Sequence, residues 1–154
     1  MKWTLAAALI LNTMSASAAG TLSSLVSFEQ VFSRPSTATS NTQSIMSASV
    51  EYVFPRSLSV YGGVAFILRD SFESTINLGT RLYSFNPVFH VSSKPVWSYI
   101  GIGTYLVDNN AYYPEVGLRF ATTPSSRMDV FLKVLNSSDT AYDKHASIGV
   151  GFTF

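Results

Sequence analysis

From Thr21 onward, apolar side chains recur at every second position, and most charges keep to the opposite parity. A period of two belongs to strands, whose neighbouring side chains point to opposite faces; a helix would repeat every 3.6 residues. Eight such segments lie at about 21–33, 44–54, 57–69, 75–85, 96–107, 111–121, 127–136 and 145–154. In the second, Met46, Ala48, Val50, Tyr52 and Phe54 oppose Ser47, Ser49 and Glu51; in the sixth, Tyr112, Val116, Leu118 and Phe120 oppose Tyr113, Glu115, Gly117 and Arg119. The phase of the fifth is open, because Trp97 and Tyr99 compete with Val96, Ile100 and Ile102. The charges Glu29, Glu51, Arg69, Arg81, Glu115, Arg119, Asp129 and Lys133 all occupy the polar face. Four acids against four bases suit a closed interior, since buried charges need partners. An even number of long strands suits an antiparallel barrel with both ends on one side. The expected fold is therefore all-β, an eight-stranded antiparallel transmembrane up-and-down β-barrel.

Composition narrows the solvent. The chain is 47% hydrophobic and 12% charged, about half the usual charged share of roughly 25%. No run of 18 apolar residues exists, so a helical span is excluded. Strands of about ten residues, by contrast, cross a bilayer when tilted. The absence of cysteine removes disulfide frameworks and thiol chemistry. Ten bases and nine acids make no basic field for nucleic acid. At the start, Met1-Lys2-Trp3, the apolar run Leu5 to Leu11 and the small residues Ser15 to Gly20 have the layout of an export signal. It is expected at residues 1–19, cleaved after Ala18 or Ala19, with the barrel domain at 20–154.

Even-face aromatics gather toward strand ends. Phe32, Phe66 and Tyr112 lie toward one rim, and Tyr52, Phe54, Phe120, Phe152 and Phe154 toward the other, as in the girdles of a membrane barrel. With the signal, the eight strands and the final segment Ser147 to Phe154, the chain resembles the small bacterial outer-membrane barrels of the OmpA-like type. The resemblance implies a Gram-negative outer-membrane location. It also implies that Ile148, Val150, Phe152 and Phe154 form a C-terminal assembly signal read by the barrel assembly machinery. The likeness covers the barrel alone; that family's periplasmic peptidoglycan-binding domain is not expected. Turns after the second, fourth and sixth strands carry Arg56, Lys94 and Arg127 and are expected on the periplasmic side. The opposite loops hold Asp70, Glu73, Asp108, Asp139 and Asp143 with Arg34 and Lys144, an acidic rim expected to meet the divalent cations that bridge lipopolysaccharide.

Little here carries chemistry. His145-Ala146-Ser147 invites an acyl-transfer reading, but such a serine needs a base in reach and an acid behind that base. Residues two apart on a strand stand about 7 Å apart, no acid follows them, and both would face inward, away from lipid. His145 reads as a rim histidine and Ser147 as a small lumen serine; His90 has no local partners. No catalytic residue, cofactor or metal site is expected. Gly101, Gly103, Gly117, Gly149 and Gly151 are expected to relieve crowding on the inner face, where long Arg or Tyr side chains lie across them. Eight strands leave an interior that side chains can fill, and Tyr61, Tyr83, Tyr113, Arg69, Arg81 and Arg119 supply the bulk. The reading is a monomeric, structural barrel with outer-membrane lipids around it. A narrow small-solute pore is the alternative, while a lipid-modifying enzyme and a soluble lipocalin-like binder are disfavoured. One register is explicit. A turn near Pro124 makes facing positions sum to about 248, which sets Arg119 opposite Asp129 and Glu115 opposite Lys133.

Overall fold

Each alternating segment becomes a strand, and each strand bonds to its sequence neighbours until the sheet meets itself. The computed structural model describes residues 20–38, 42–55, 57–69 and 71–154. The expected signal at 1–19, and the rim residues Arg56 and Asp70, lie outside the described residues. The strands are β1 (Thr21–Ser33), β2 (Ser44–Val53), β3 (Leu58–Leu68), β4 (Phe72–Tyr83), β5 (Phe89–Val91), β6 (Lys94–Tyr105), β7 (Ala111–Ala121), β8 (Arg127–Leu135) and β9 (His145–Thr153). Their order is β4-β3-β2-β1-β9-β8-β7-β6-β5, and a β4–β6 ladder closes the ring. All pairings are antiparallel. The fold is an eight-stranded, up-and-down, closed antiparallel barrel, with no helix among the described residues.

Parity survives the whole circuit. In every barrel ladder the facing position numbers sum to an even value, from Thr21↔Val53 through Glu115↔Lys133 to Arg127↔Thr153. Odd residues therefore face odd residues, and one face stays inward on all eight staves. The one irregularity is a bulge between Val31 and Ser33, at the end of the β1–β9 seam. From Tyr99 onward the β6 phase follows the others: Tyr99 is buried, and Ile100 and Ile102 stand outside at 62% and 65% exposure, whereas the even-numbered Val96, between β5 and β7, is buried. Arg119↔Asp129 and Glu115↔Lys133 are facing pairs, the register read from the turn near Pro124.

Two local features depart from simple alternation. The ninth strand, β5, lies in what the sequence presents as a long connection. It pairs with β6 through Phe89↔Val96, His90↔Pro95 and Val91↔Lys94. Its turn is Ser92-Ser93, both at positive φ (49° and 65°), the geometry of a tight hairpin turn that Asn or Gly would signal in sequence. Serine gave no such signal. The second feature is Pro114, inside β7. Tyr112 and Asn136 exchange both backbone hydrogen bonds, at 2.8 and 2.7 Å, and the β7–β8 ladder resumes at Glu115↔Lys133. Bonded pairs alternate along an antiparallel ladder, so Pro114 faces Val134 where an N–H is due and has none to give. The side-chain amide of Asn136 donates to the Val134 carbonyl instead, at 3.0 Å.

The two mouths differ. The turn end, where Thr21 and Thr153 lie, carries the connections β2–β3, β4–β6 and β7–β8. The loop end carries the connections β1–β2, β3–β4, β6–β7 and β8–β9.

Candidate functional site: the charged lumen

Inward parity brings seven of the eight expected charges into one continuous cluster. Glu29, Glu51, Arg81, Glu115, Arg119, Asp129 and Lys133 are all buried. Arg69 is not among them. It sits one residue beyond β3, where strand alternation no longer dictates direction, and it pairs with Glu73 at 2.5 Å near the loop end. Where the sequence suggested four acids against four bases, the buried network among the described residues holds four acids and three bases.

The seven charges alternate in sign along the axis. Nearest the loop end, Glu29 meets Lys133 at 2.7 Å. Lys133 stands 3.8 Å from Glu115, which holds Arg81 at 2.7 Å. Arg81 also reaches Asp129 at 3.2 Å and Glu51 at 3.8 Å. Those two carboxylates converge on Arg119, whose Nε lies 2.6 Å from Asp129 and whose Nη2 lies 2.9 Å from Glu51. The facing pairs and the pairs between non-adjacent staves are thus parts of one network, and the shortest contacts of Lys133 and Arg81 each run to the next stave but one.

Aromatic rings and hydroxyls complete the solvation that water would otherwise give. Arg81 lies between the rings of Tyr61 and Tyr99, 4.8 Å from each centroid, and Arg119 lies over Tyr83 at 4.6 Å. Lys133 stands 4.3 Å from the Tyr113 ring and 4.8 Å from that of Phe131. Such contacts strengthen when desolvated. Tyr83 and Ser59 donate to Glu51 at 2.7 and 2.8 Å, and Tyr105 and Ser147 donate to Glu29 at 2.7 and 3.2 Å. Space for the rings comes from glycine: a Cβ at Gly79 would run into Tyr61, and one at Gly117 into Tyr99.

Ser147 is bound to Glu29, while the buried His145 sets Nδ1 2.9 Å from the Asp143 carbonyl. The two side chains serve different neighbours. His90 lies on exposed β5. The described residues contain no cluster of metal-ligating side chains. The residues Ile148, Val150, Phe152 and Phe154 all stand on the outer surface of the last strand and its end.

Apart from Tyr113, alternation did not single out the inward residues of the apolar cluster. Ile45, Ala65, Ile67, Tyr105, Val107, Ala111, Tyr113, Leu135, Ala141 and Tyr142 form a buried cluster that stops the lumen at the loop end. Most have odd numbers, and that parity was the only available signal. Tyr99 and Phe131 also fill the lumen without having been singled out. Comparison with family models, with curated proteins and with solved structures found no match.

Proposed function

We propose that this chain is an outer-membrane β-barrel of a Gram-negative envelope whose role is structural. The supporting observation is the outer wall. Large apolar side chains stand exposed on every stave, among them Val26, Val50, Val64, Ile76, Ile102, Val116, Leu132 and Val150. The buried charges lie inside. Water-soluble monomers rarely present apolar patches beyond a few hundred Å², whereas an encircling belt suits hydrocarbon, and closure leaves no strand edge to solvate there. Staves of 9–13 residues suit a tilted crossing. The turn end would face the periplasm and the loop end would meet lipopolysaccharide. The outer face of β9 would be read by the assembly machinery.

The filled, ion-paired and apolar-stoppered interior supports a structural role over a conducting one. Carbonate extraction followed by a heat-modifiable gel shift tests the proposal. The protein should stay with membranes and migrate faster unheated than boiled. Recovery of folded protein in a soluble fraction would refute it.

A further inference from the structure

The lumen is stopped at the loop end, but it opens at the turn end into a blind chamber of about 260 Å³. At roughly 30 Å³ for each water displaced, that holds a single six-membered ring with one substituent. Its lining includes Arg119, Arg127, Trp97, Tyr83, Ser23 and Ser57, and no acidic side chain among the described residues. Donors and positive charge therefore dominate the walls. Arg119, in the floor, is committed through Nε and Nη2 to Asp129 and Glu51. Arg127, at the start of β8, is held by its backbone in the ladders to Ala121 and Thr153. None of the described acids forms an ion pair with it. Among the described residues the chamber thus has one uncommitted guanidinium to offer, and it matches a single negative charge. Trp97 stands opposite Arg119 in the β6–β7 ladder and is only half-buried, so its indole can receive a flat ring.

We propose that this chamber binds a small ring-bearing monocarboxylate, with Arg127 meeting the carboxylate and Trp97 stacking on the ring. A planar guanidinium matches a carboxylate two bonds at a time, and an aromatic wall supplies contact area at little entropic cost. Because the opposite end is closed, the ligand enters and leaves by the same mouth. This inference does not depend on which solvent surrounds the wall.

The chain contains two tryptophans, Trp3 and Trp97, so the full chain carrying Trp3→Phe in detergent micelles reports on the chamber alone. Benzoate, benzamide and inorganic phosphate are titrated against indole fluorescence. Benzoate should give a saturable change with an affinity at least tenfold above that of benzamide or phosphate. Arg127→Gln should weaken benzoate tenfold or more, and Arg127→Lys should recover part of the loss. Each variant is checked for the folded gel shift, and calorimetry on Trp97→Phe should show weaker benzoate binding. Equal response to benzoate and benzamide, tighter binding of phosphate, no saturation, or indifference to Arg127→Gln would each overturn the assignment. If Arg127→Gln does not fold, the comparison of benzoate with benzamide on the parent chain decides alone.

Discussion

The middle of the lumen and its loop end obey one parity rule with opposite chemistry. In the middle, the inward positions are Glu51, Arg81, Glu115, Arg119 and Asp129; nearer the loop end, on β2, β3 and β8, they are Ile45, Ala65, Ile67 and Leu135. Tyr105 and Tyr113 form the boundary. Their rings belong to the apolar cluster, while the Tyr105 hydroxyl donates to Glu29 at 2.7 Å and that of Tyr113 meets Tyr61 at 3.0 Å. The difference follows from what covers each mouth. At the loop end, segment 136–144 folds over the barrel, buries Ala141 and Tyr142, and ties Tyr142 to Glu73 at 2.7 Å. Burial and that hydrogen bond push the Tyr142 hydroxyl above its ordinary range. A covered mouth can be filled with hydrocarbon. The charged middle is stable only as a set, since each ion relies on neighbours of opposite sign for the solvation it has lost.

That contrast sets the order of expected effects. The largest belongs to Arg81→Met. Three carboxylates, Glu51, Glu115 and Asp129, lie within ion-pair reach of this guanidinium, and removing it leaves Glu115 with only the 3.8 Å contact to Lys133 and the other two sharing Arg119. A loss of about 3–5 kcal/mol is expected, read by urea unfolding in the presence of lipid vesicles. In the apolar stopper, Ile67→Ala removes packing without exposing any charge, and should cost about 2–3 kcal/mol. A stopper variant costing more than Arg81→Met would invert the comparison.

The next effect tests the junction of the two regions. Lys133 faces Glu115 in the ladder but stands closer to Glu29, at 2.7 Å against 3.8 Å. Double-mutant cycles should therefore give a coupling of about 1–3 kcal/mol between Lys133→Met and Glu29→Gln, and less with Glu115→Gln. The reverse order would show that the ladder neighbour, not the acid on the next stave but one, holds the ammonium.

This point also marks what could be read from residues alone. Alternation dictates direction, so the inward set and the register at Arg119–Asp129 were legible. It says nothing about which inward groups meet across the lumen, because that depends on side-chain length and on the curvature of the closed sheet. Arg69 shows the limit at a strand end: one residue beyond β3, it pairs with Glu73 and lies over the Tyr142 ring at the loop end instead of joining the central network. The Ser92-Ser93 turn shows another, since the residues adopt a backbone geometry that their side chains do not favour. Nor could the stopper be seen, because an inward Ile and an outward Ile look alike until the charged positions have fixed which parity faces in.

The smallest effect lies in the wall itself, at the loop end of β7. Pro114 offers no N–H where its partner Val134 presents a carbonyl, and Asn136 fills the gap from its side chain at 3.0 Å. Asn136→Ala should cost about 1 kcal/mol or slightly less, the net worth of one exposed-side hydrogen bond. Pro114→Ala restores a backbone donor at that position. In the Pro114→Ala background the same Asn136→Ala change should therefore cost close to nothing, and amide hydrogen exchange should show a protected N–H at residue 114. The pair of changes separates two explanations for Asn136. If the side chain serves the orphaned carbonyl, its loss is rescued by the new donor. If it serves only the loop that follows, the cost persists in both backgrounds, and the ladder gap at Pro114 must then be satisfied in some other way.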